Sequence, residues 1–174
     1  MFGTAPYTGK TLGELASEFN IPFEEVLINL GPKGASAAYF IMDETLQSRL
    51  LVSPSISISS DGSPQAFHPR GHGTFAKIIE KYVNQQGLLS LTEAIRKMTS
   101  QSAKILGISD RGVIKVGNKA DIIIFDLSQV KANANYAHPH RLAEGFSWVI
   151  VNGKIARSGA IMEKNYYGKV LQPD

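Results

Sequence analysis

The sequence predicts an α/β protein that ends in a small β module. Between residue 10 and about residue 107, amphipathic helical segments alternate with two short apolar runs, 37–42 and 55–60. Alternation of strands with helices favours βα units and a parallel sheet. After Arg111 the pattern changes to that of an all-β segment. Two parallel strands are too few for a stable α/β domain, so we expect further strands upstream or from another chain.

The two apolar runs are the expected strands of the first part. Residues 37–42 (AAYFIM) are short and continuously apolar, which is typical of a strand buried on both faces. Residues 55–60 (SISISS) alternate between serine and isoleucine and predict a second short strand. Polar residues that follow such strands are the first places to look for functional side chains.

Helix-start signals occur throughout the same part. A capping box, in which the first and fourth residues each bond the other's backbone, is expected at 11–14 and again at 90–93. An apolar stripe at helical spacing predicts a helix from near Thr74 to about Gln86. The other expected boundaries are Pro22 as the first residue of the second helix, Asp43 as the cap of the third and Gly107 as the C-terminal cap of the last.

The second part predicts antiparallel strands joined by turns. Residues 117–121 (GNKAD) form an expected turn into a strand over 122–125, and 148–151 meets Asn152-Gly153, a strong hairpin signal. A loop rich in Ala, Asn, His and Pro separates the two strands. We therefore expect two units, residues 1–110 and residues 111–174.

Composition excludes several classes of function. The 174 residues include no cysteine, so disulfides and thiolate metal ligands are excluded within the chain. The net charge of +3 is spread without a basic cluster, which argues against nucleic-acid binding. No apolar run approaches the roughly 20 residues of a membrane span, and no signal-peptide pattern is found. We expect a cytoplasmic protein without a membrane partner.

Asp61 is the first candidate for chemistry. It follows the apolar run 55–60 and precedes Gly62. In βα barrels, catalytic groups lie at the carboxyl ends of strands, where an aspartate serves as a metal ligand or general base. An ordinary Asp-Gly turn is the alternative that the tripeptide alone favours.

The second candidate is the segment HPRGHGTF (68–75), which leads into a predicted helix. Arg70 offers a planar fork that matches a substrate carboxylate through two parallel hydrogen bonds. The positive end of the helix dipole also favours an anion there. A plain polar loop before the helix explains the same residues equally well.

The spacing of His138 and His140 imitates a zinc-binding pair. A His-x-His pair places two imidazoles on one side of a strand, as zinc requires. Pro139 between them and the Asn/Ala-rich approach indicate a loop instead, and no carboxylate or third histidine is near in sequence. We therefore predict no metal ligand among these histidines.

Taken in order, the motifs of this chain resemble those of the N-acyl-D-amino-acid deacylases of the metal-dependent amidohydrolase superfamily. The resemblance covers nearly the whole chain, and the ordered set is far more specific than any one motif. The segments are GKTL (9–12), YFIM (39–42), SDG (60–62), HPRGHGTF (68–75), LLSLTEAIRKMT (88–99), DRG (110–112), GNKADI (117–122), FD (125–126), PH (139–140), AEG (143–145) and VNGK (151–154).

The resemblance implies a fold and a reaction. Residues 1–110 would be the last βα units of an incomplete TIM-like metallo-hydrolase barrel, and 111–174 the C-terminal half of a small β-sandwich. In the family, zinc polarises the amide carbonyl and activates water. The resemblance assigns the general base to Asp61 and substrate binding to Arg70, Tyr39 and Met42, with buried strand packing as the alternative for the last two.

The resemblance also implies what this chain lacks. The family's zinc ligands match positions upstream of this sequence, so zinc belongs to the parent enzyme with its ligands mostly or wholly outside the chain. The loop between Asp61 and Arg70 is slightly shorter than in typical members, so the resemblance does not determine the geometry of Arg70 or the substrate preference.

Three functions remain open at this stage. The first is hydrolysis of N-acyl-D-amino acids, small-molecule substrates, by a parent enzyme whose C-terminal part is this chain, inactive alone. The second is hydrolysis of cyclic amides, as by hydantoinases or dihydropyrimidinases, or of dipeptides. The third is a non-catalytic remnant or subunit. A truncated barrel exposes strand edges and apolar faces, so we expect a homo-oligomer or pairing with an N-terminal portion.

Overall fold

The computed structural model describes residue 7 and residues 9–32, 34–63 and 66–173. In these ranges, six α-helices precede a four-stranded sheet. The helices are α1 (Leu12–Phe19), α2 (Phe23–Asn29), α3 (Glu44–Val52), α4 (Arg70–Lys77), α5 (Leu91–Met98) and α6 (Ser100–Ile105), and a π-helix (Ile78–Gln85) continues α4. The strands are β1 (Ile122–Phe125), β2 (Phe146–Val151), β3 (Lys154–Ser158) and β4 (Ile161–Met162), with a 3-10 turn at Leu127–Gln129.

The predicted helix starts are largely confirmed. The hydroxyl of Thr11 accepts from the amide of Glu14, and the Glu14 carboxylate accepts from the Thr11 amide, so the first capping box is complete. Asp43 caps α3 through the Leu46 amide. Pro22 is the cap of α2 and not its first residue.

The second capping box is only half formed. The hydroxyl of Ser90 accepts from the amide of Glu93 at 3.2 Å. The Glu93 carboxylate instead binds the guanidinium of Arg96, three residues further along α5. An (i, i+3) ion pair therefore replaces the reciprocal capping bond.

The helix expected from Thr74 begins four residues earlier, at Arg70. Thr74 lies inside the helix, where its hydroxyl donates to the Arg70 carbonyl at 2.8 Å. The predicted end near Gln86 is confirmed, since the π-helical continuation ends at Gln85. Pro69 precedes the first turn, where a missing amide hydrogen costs nothing.

Both predicted strands of the first part are wrong. Residues 38–42 have no strand pairing, and Tyr39 to Met42 are exposed instead of buried. Residues 55–60 are irregular, although Ile58 is buried. A strand requires a neighbour to bond its amides and carbonyls. Among the described residues of this region no parallel strand is present, so apolar pattern alone does not produce strands.

The predicted β module is confirmed. The strands form an antiparallel sheet in the order β1-β2-β3-β4. Asn152 and Gly153 join β2 to β3 with φ of 49° and 75°. Positive φ at both central residues is what the tight hairpin turn requires. The Asp121 carboxylate accepts a hydrogen bond from the Asn152 amide at 2.7 Å, which holds the turn against the residue that precedes β1.

Three apolar clusters stabilise these elements. One joins Ile58 to the π-helix and α5, and another joins α4 and the π-helix to the sheet through Val130. The third packs α1 on α2 through Leu15 and Val26. No helix in the described ranges is long and apolar enough to cross a membrane.

Candidate active site

Asp61 lies on a tight bend between Ile58 and the start of α4. Its φ is 45°, a left-handed conformation that aspartate tolerates better than most residues. The hydroxyl of Ser60 accepts from the Gly62 amide at 3.2 Å and supports the bend. The Asp61 side chain is 83% exposed, so solvent and small molecules reach the carboxylate.

Close backbone contact fixes the bend against α4. A Cβ placed on Gly62 would lie 2.7 Å from the Cα of Gly71, which is closer than real Cβ contacts. Gly62 therefore permits a separation that no other residue allows. The contact places Asp61 beside the first turn of α4.

Arg70 is the first residue of α4, and its guanidinium meets Asp61. The Nη2 atom lies 3.1 Å from Oδ2 of the carboxylate. Both predicted site residues are thus brought together by the fold, across a loop. Arg70 is 44% exposed, and an exposed pair of this kind contributes little to stability. Among the described residues, no other hydrogen bond from the Arg70 guanidinium is found, so its other N–H groups can bind a second carboxylate.

His68 orients the backbone of Arg70. Its Nδ1 accepts from the Arg70 amide at 3.1 Å, a role that requires an unprotonated nitrogen. Burial, and then the positive charge of Arg70, hold the pKa of His68 below its usual value; Lys77 adds to this and Asp61 opposes it. The neutral ring therefore keeps its acceptor toward neutral pH.

Tyr39 and Met42 are 82% and 62% exposed. In this chain, therefore, neither side chain is buried in strand packing. Phe40, which follows Tyr39, places its ring 4.9 Å from that of Tyr136. Tyr136 in turn lies 5.2 Å from the His68 ring and has its hydroxyl 3.5 Å from Nε2. The substrate-binding role of Tyr39 and Met42 stays a prediction.

Sequence reasoning missed this aromatic chain. Phe40 and Tyr136 are separated from His68 by tens of residues, and no spacing rule connects them. The only sequence feature that could have indicated these contacts is Tyr136 itself, an aromatic residue in the Asn/Ala/His-rich loop that also contains His138 and His140. These ring contacts connect Phe40 to His68, whose Nδ1 accepts from the Arg70 amide.

The histidines predicted not to bind metal have other contacts. The Nε2 atom of His140 lies 3.2 Å from the Ala66 carbonyl, and its ring packs near those of Phe67 and His72. In the part of the chain that the structure describes, no three His, Cys, Asp or Glu side chains are placed to hold a metal ion. Asp61 has a guanidinium as its charged neighbour, so the donor set does not fit a zinc ion.

An open cavity of about 420 Å³ lies between α4, α5 and the sheet. Its lining is mainly apolar and includes Phe75, Met98 and Phe146. Neither Asp61 nor Arg70 lines it. The cavity therefore belongs to the contact of helices with sheet and not to the candidate site.

Comparison with known families places the chain. The Amidohydrolase family matches residues 43–157, which include Asp61, Arg70 and the first three strands almost completely. The chain belongs to the amidohydrolase family. The predicted resemblance is confirmed, and so is the α/β metallo-hydrolase fold class at this level.

The relatives that match most of the chain are deacylases. The chain is 34% identical over 168 residues to an N-acyl-D-aspartate deacylase of Alcaligenes xylosoxydans xylosoxydans, covering 95% of this chain and 33% of the relative. A D-aminoacylase structure with a binuclear metal centre superposes with a TM-score of 0.85 at 34% identity, covering 94% of this chain and 35% of that one.

A second solved structure is an N-acyl-D-glutamate deacylase from Bordetella bronchiseptica, complexed with zinc and a phosphonate inhibitor that mimics the tetrahedral intermediate. It is 33% identical with a TM-score of 0.79, and the match covers 85% of this chain and 31% of that one. The chain thus spans about a third of the length of each of these relatives.

Proposed function

We propose that the protein containing this chain hydrolyses N-acyl-D-amino acids to a carboxylate and a free D-amino acid. The observation that carries the proposal is the pairing of Asp61 with Arg70 at 3.1 Å, in a chain that is similar over 95% of its length to an N-acyl-D-aspartate deacylase. The pair combines a proton acceptor with a carboxylate-binding cation, the two groups that such a substrate needs.

Asp61 is the proposed general base. A water oxygen attacks the amide carbon while its proton passes to the Asp61 carboxylate; the C–N bond then breaks and the same proton passes to the departing nitrogen. The high exposure of Asp61 makes its carboxylate accessible to substrate from the remainder of the enzyme. A balanced transfer results, since Asp61 ends in its starting state.

Arg70 is proposed to bind the α-carboxylate of the substrate. Its fork matches a carboxylate in two hydrogen bonds, and its exposed face is open to solvent. Binding would draw the guanidinium from Asp61 and leave that carboxylate free to take a proton. Tyr39 and Met42, exposed on the neighbouring segment, are proposed to line the side-chain pocket.

Zinc is proposed to be held by the part of the enzyme outside this chain. The relative from Bordetella bronchiseptica is complexed with zinc, whereas the described residues here supply no ligand cluster. No step is assigned to the metal, since none of its ligands is identified.

The wider architecture is part of the proposal. Residues 1–110 would complete a TIM-like barrel and 111–174 a β-sandwich, together with an N-terminal portion or a second copy. The exposed apolar residues Tyr39, Phe40, Ile41 and Met42 support a covering partner for the first part. The cytoplasmic location stays a prediction from sequence.

Arginine substitution tests the carboxylate role. In the whole enzyme, Arg70→Ala should raise KM for N-acetyl-D-methionine about 100-fold, because a charge-assisted pair is lost. Arg70→Lys, which keeps the charge but not the fork, should recover part of this. The methyl ester of the substrate, which lacks the charge, is the control and should respond little to either change.

An unchanged KM in Arg70→Ala would remove Arg70 from substrate binding. If the enzyme also hydrolysed cyclic amides better than N-acetyl-D-methionine, the cyclic-amide alternative would replace the proposal.

A further inference from the structure

Lys97 on α5 is fully buried, with 0% of its surface exposed. Among the described residues, no carboxylate lies within ion-pair distance of its ammonium group. A buried lysine without a counter-ion is costly unless hydrogen bonds satisfy it. Burial accordingly lowers the pKa of Lys97, and the nearby charge of Glu93 partly opposes this.

Lys97 makes four hydrogen bonds to one segment, residues 53–58. Its ammonium donates to the Ile56 carbonyl at 2.7 Å and also to the Ser53 carbonyl. Its own carbonyl accepts from the Ile58 amide at 3.3 Å and from the Ser57 hydroxyl at 3.0 Å. Lys97 therefore bonds three backbone groups of this segment, as a neighbouring strand would in a sheet.

Other side chains of α5 and α6 add hydrogen bonds in the same region. Gln101 and Arg96 both donate to the Pro54 carbonyl, at 2.9 and 3.4 Å. Ser102 donates to the Lys97 carbonyl at 2.9 Å. The two bonds to Pro54 are exposed, whereas Lys97 is fully buried, so Lys97 is the central member of the set.

Asp61 follows Ile58 by three residues, and the Gly62–Gly71 contact holds the bend from the other side. We propose that Lys97 is a positioning residue for Asp61, since it fixes the segment from which the chain reaches the carboxylate. This inference rests on the proposed role of Asp61 as general base. Lys97 acts through the 53–58 backbone and does not touch substrate.

Substitution by methionine tests the proposal in the 174-residue chain. Lys97→Met keeps side-chain length and apolar packing but removes the ammonium. We expect the Ile58 amide to exchange with solvent about tenfold faster, and the nuclear Overhauser contact between Gly62 and Gly71 to weaken. Amides of the β2–β3 hairpin should keep their exchange rates.

Two further variants make the test specific. Lys97→Arg keeps a cationic donor and should restore part of the Ile58 protection. Lys104→Met removes an exposed lysine of α6 and should change neither signal. Unchanged Ile58 exchange together with an intact Gly62–Gly71 contact in Lys97→Met would overturn the proposal.

If Lys97→Met unfolds the whole chain, the hairpin amides also lose protection and a milder substitution is needed. Ser57→Ala removes one bond of the same set and should speed Ile58 exchange with the hairpin unaffected. No effect of Ser57→Ala on Ile58 would then count against the proposal.

Kinetics of the whole enzyme separate positioning from binding. Lys97→Met should lower kcat for N-acetyl-D-methionine about 100-fold, as expected for a misplaced catalytic group, while KM changes little because α4 holds Arg70 independently. If the unmodified enzyme shows no turnover, the proposed function fails. The exchange and contact measurements still decide the role of Lys97 in holding the segment.

Discussion

The β2–β3 hairpin and the segment 53–62 satisfy their backbone groups with different partners. In the hairpin, strand amides and carbonyls bond each other across the Asn152-Gly153 turn. In the segment 53–62, residues 53–58 bond instead to side chains of α5 and α6 and to the backbone carbonyl of Lys97. Local sequence therefore determines the hairpin, whereas contacts between residues some forty positions apart determine the segment that precedes Asp61.

The largest loss of stability is expected from a substitution at Gly145, just before β2. Its φ is +86°, and an added Cβ would lie 2.5 Å from the Gln129 carbonyl carbon and 2.6 Å from the Val130 nitrogen. Because these are backbone atoms, Gly145→Ala should lower the free energy of unfolding by about 3 kcal/mol. Urea denaturation followed by the fluorescence of Trp148, the single tryptophan, measures the loss.

Gly153→Ala is the matched control for that change. Gly153 also has a positive φ, of +75°, but nothing lies within 4 Å of its Cβ position. The substitution should cost only about 1 kcal/mol, the conformational penalty alone. An equal loss of unfolding free energy in the two variants would show that the close backbone contact at Gly145 does not stabilise the β module.

A smaller effect is expected at the bend of the candidate site. Gly62→Ala places a Cβ 2.7 Å from the Gly71 Cα, which should move Asp61 away from Arg70 and lower the free energy of unfolding by about 1 kcal/mol. Gly71→Ala is the control, since its Cβ meets ordinary contacts of 3.7 Å and more.

Gly71→Ala should instead be neutral or slightly stabilising, because alanine is the better helix former by up to about 1 kcal/mol. A crystal structure of Gly62→Ala with the Asp61–Arg70 distance unchanged would show that the glycine contact does not position the carboxylate.

Sequence signals succeeded where their physics is local. The capping box at Thr11, the cap at Asp43 and the Asn152-Gly153 turn each depend on a few adjacent residues, and the structure contains all three. The runs 37–42 and 55–60 failed as strands, because pairing depends on distant neighbours that no local pattern reveals.

The candidate site divides in the same way. Asp61 and Arg70 were identifiable from residue type and from the resemblance, and the fold brings them within 3.1 Å. The role of Lys97 was not identifiable, since lysine in an amphipathic helix normally indicates a solvated face. The contacts of Phe40 and Tyr136 were not identifiable either, because no spacing rule connects these residues to His68. The burial of Lys97 follows from the path of the segment 53–58 over α5.

Replacement of Asp61 by asparagine in the whole enzyme, with amine release from N-acetyl-D-methionine as the readout, tests the account most directly. Asparagine keeps the shape of the side chain but cannot accept the proton. We predict that kcat falls about 1,000-fold, as expected when a general base is removed, while the enzyme stays folded and KM changes little. An Asp61→Asn variant that retains the kcat of the unmodified enzyme would contradict the assignment of Asp61 as the base.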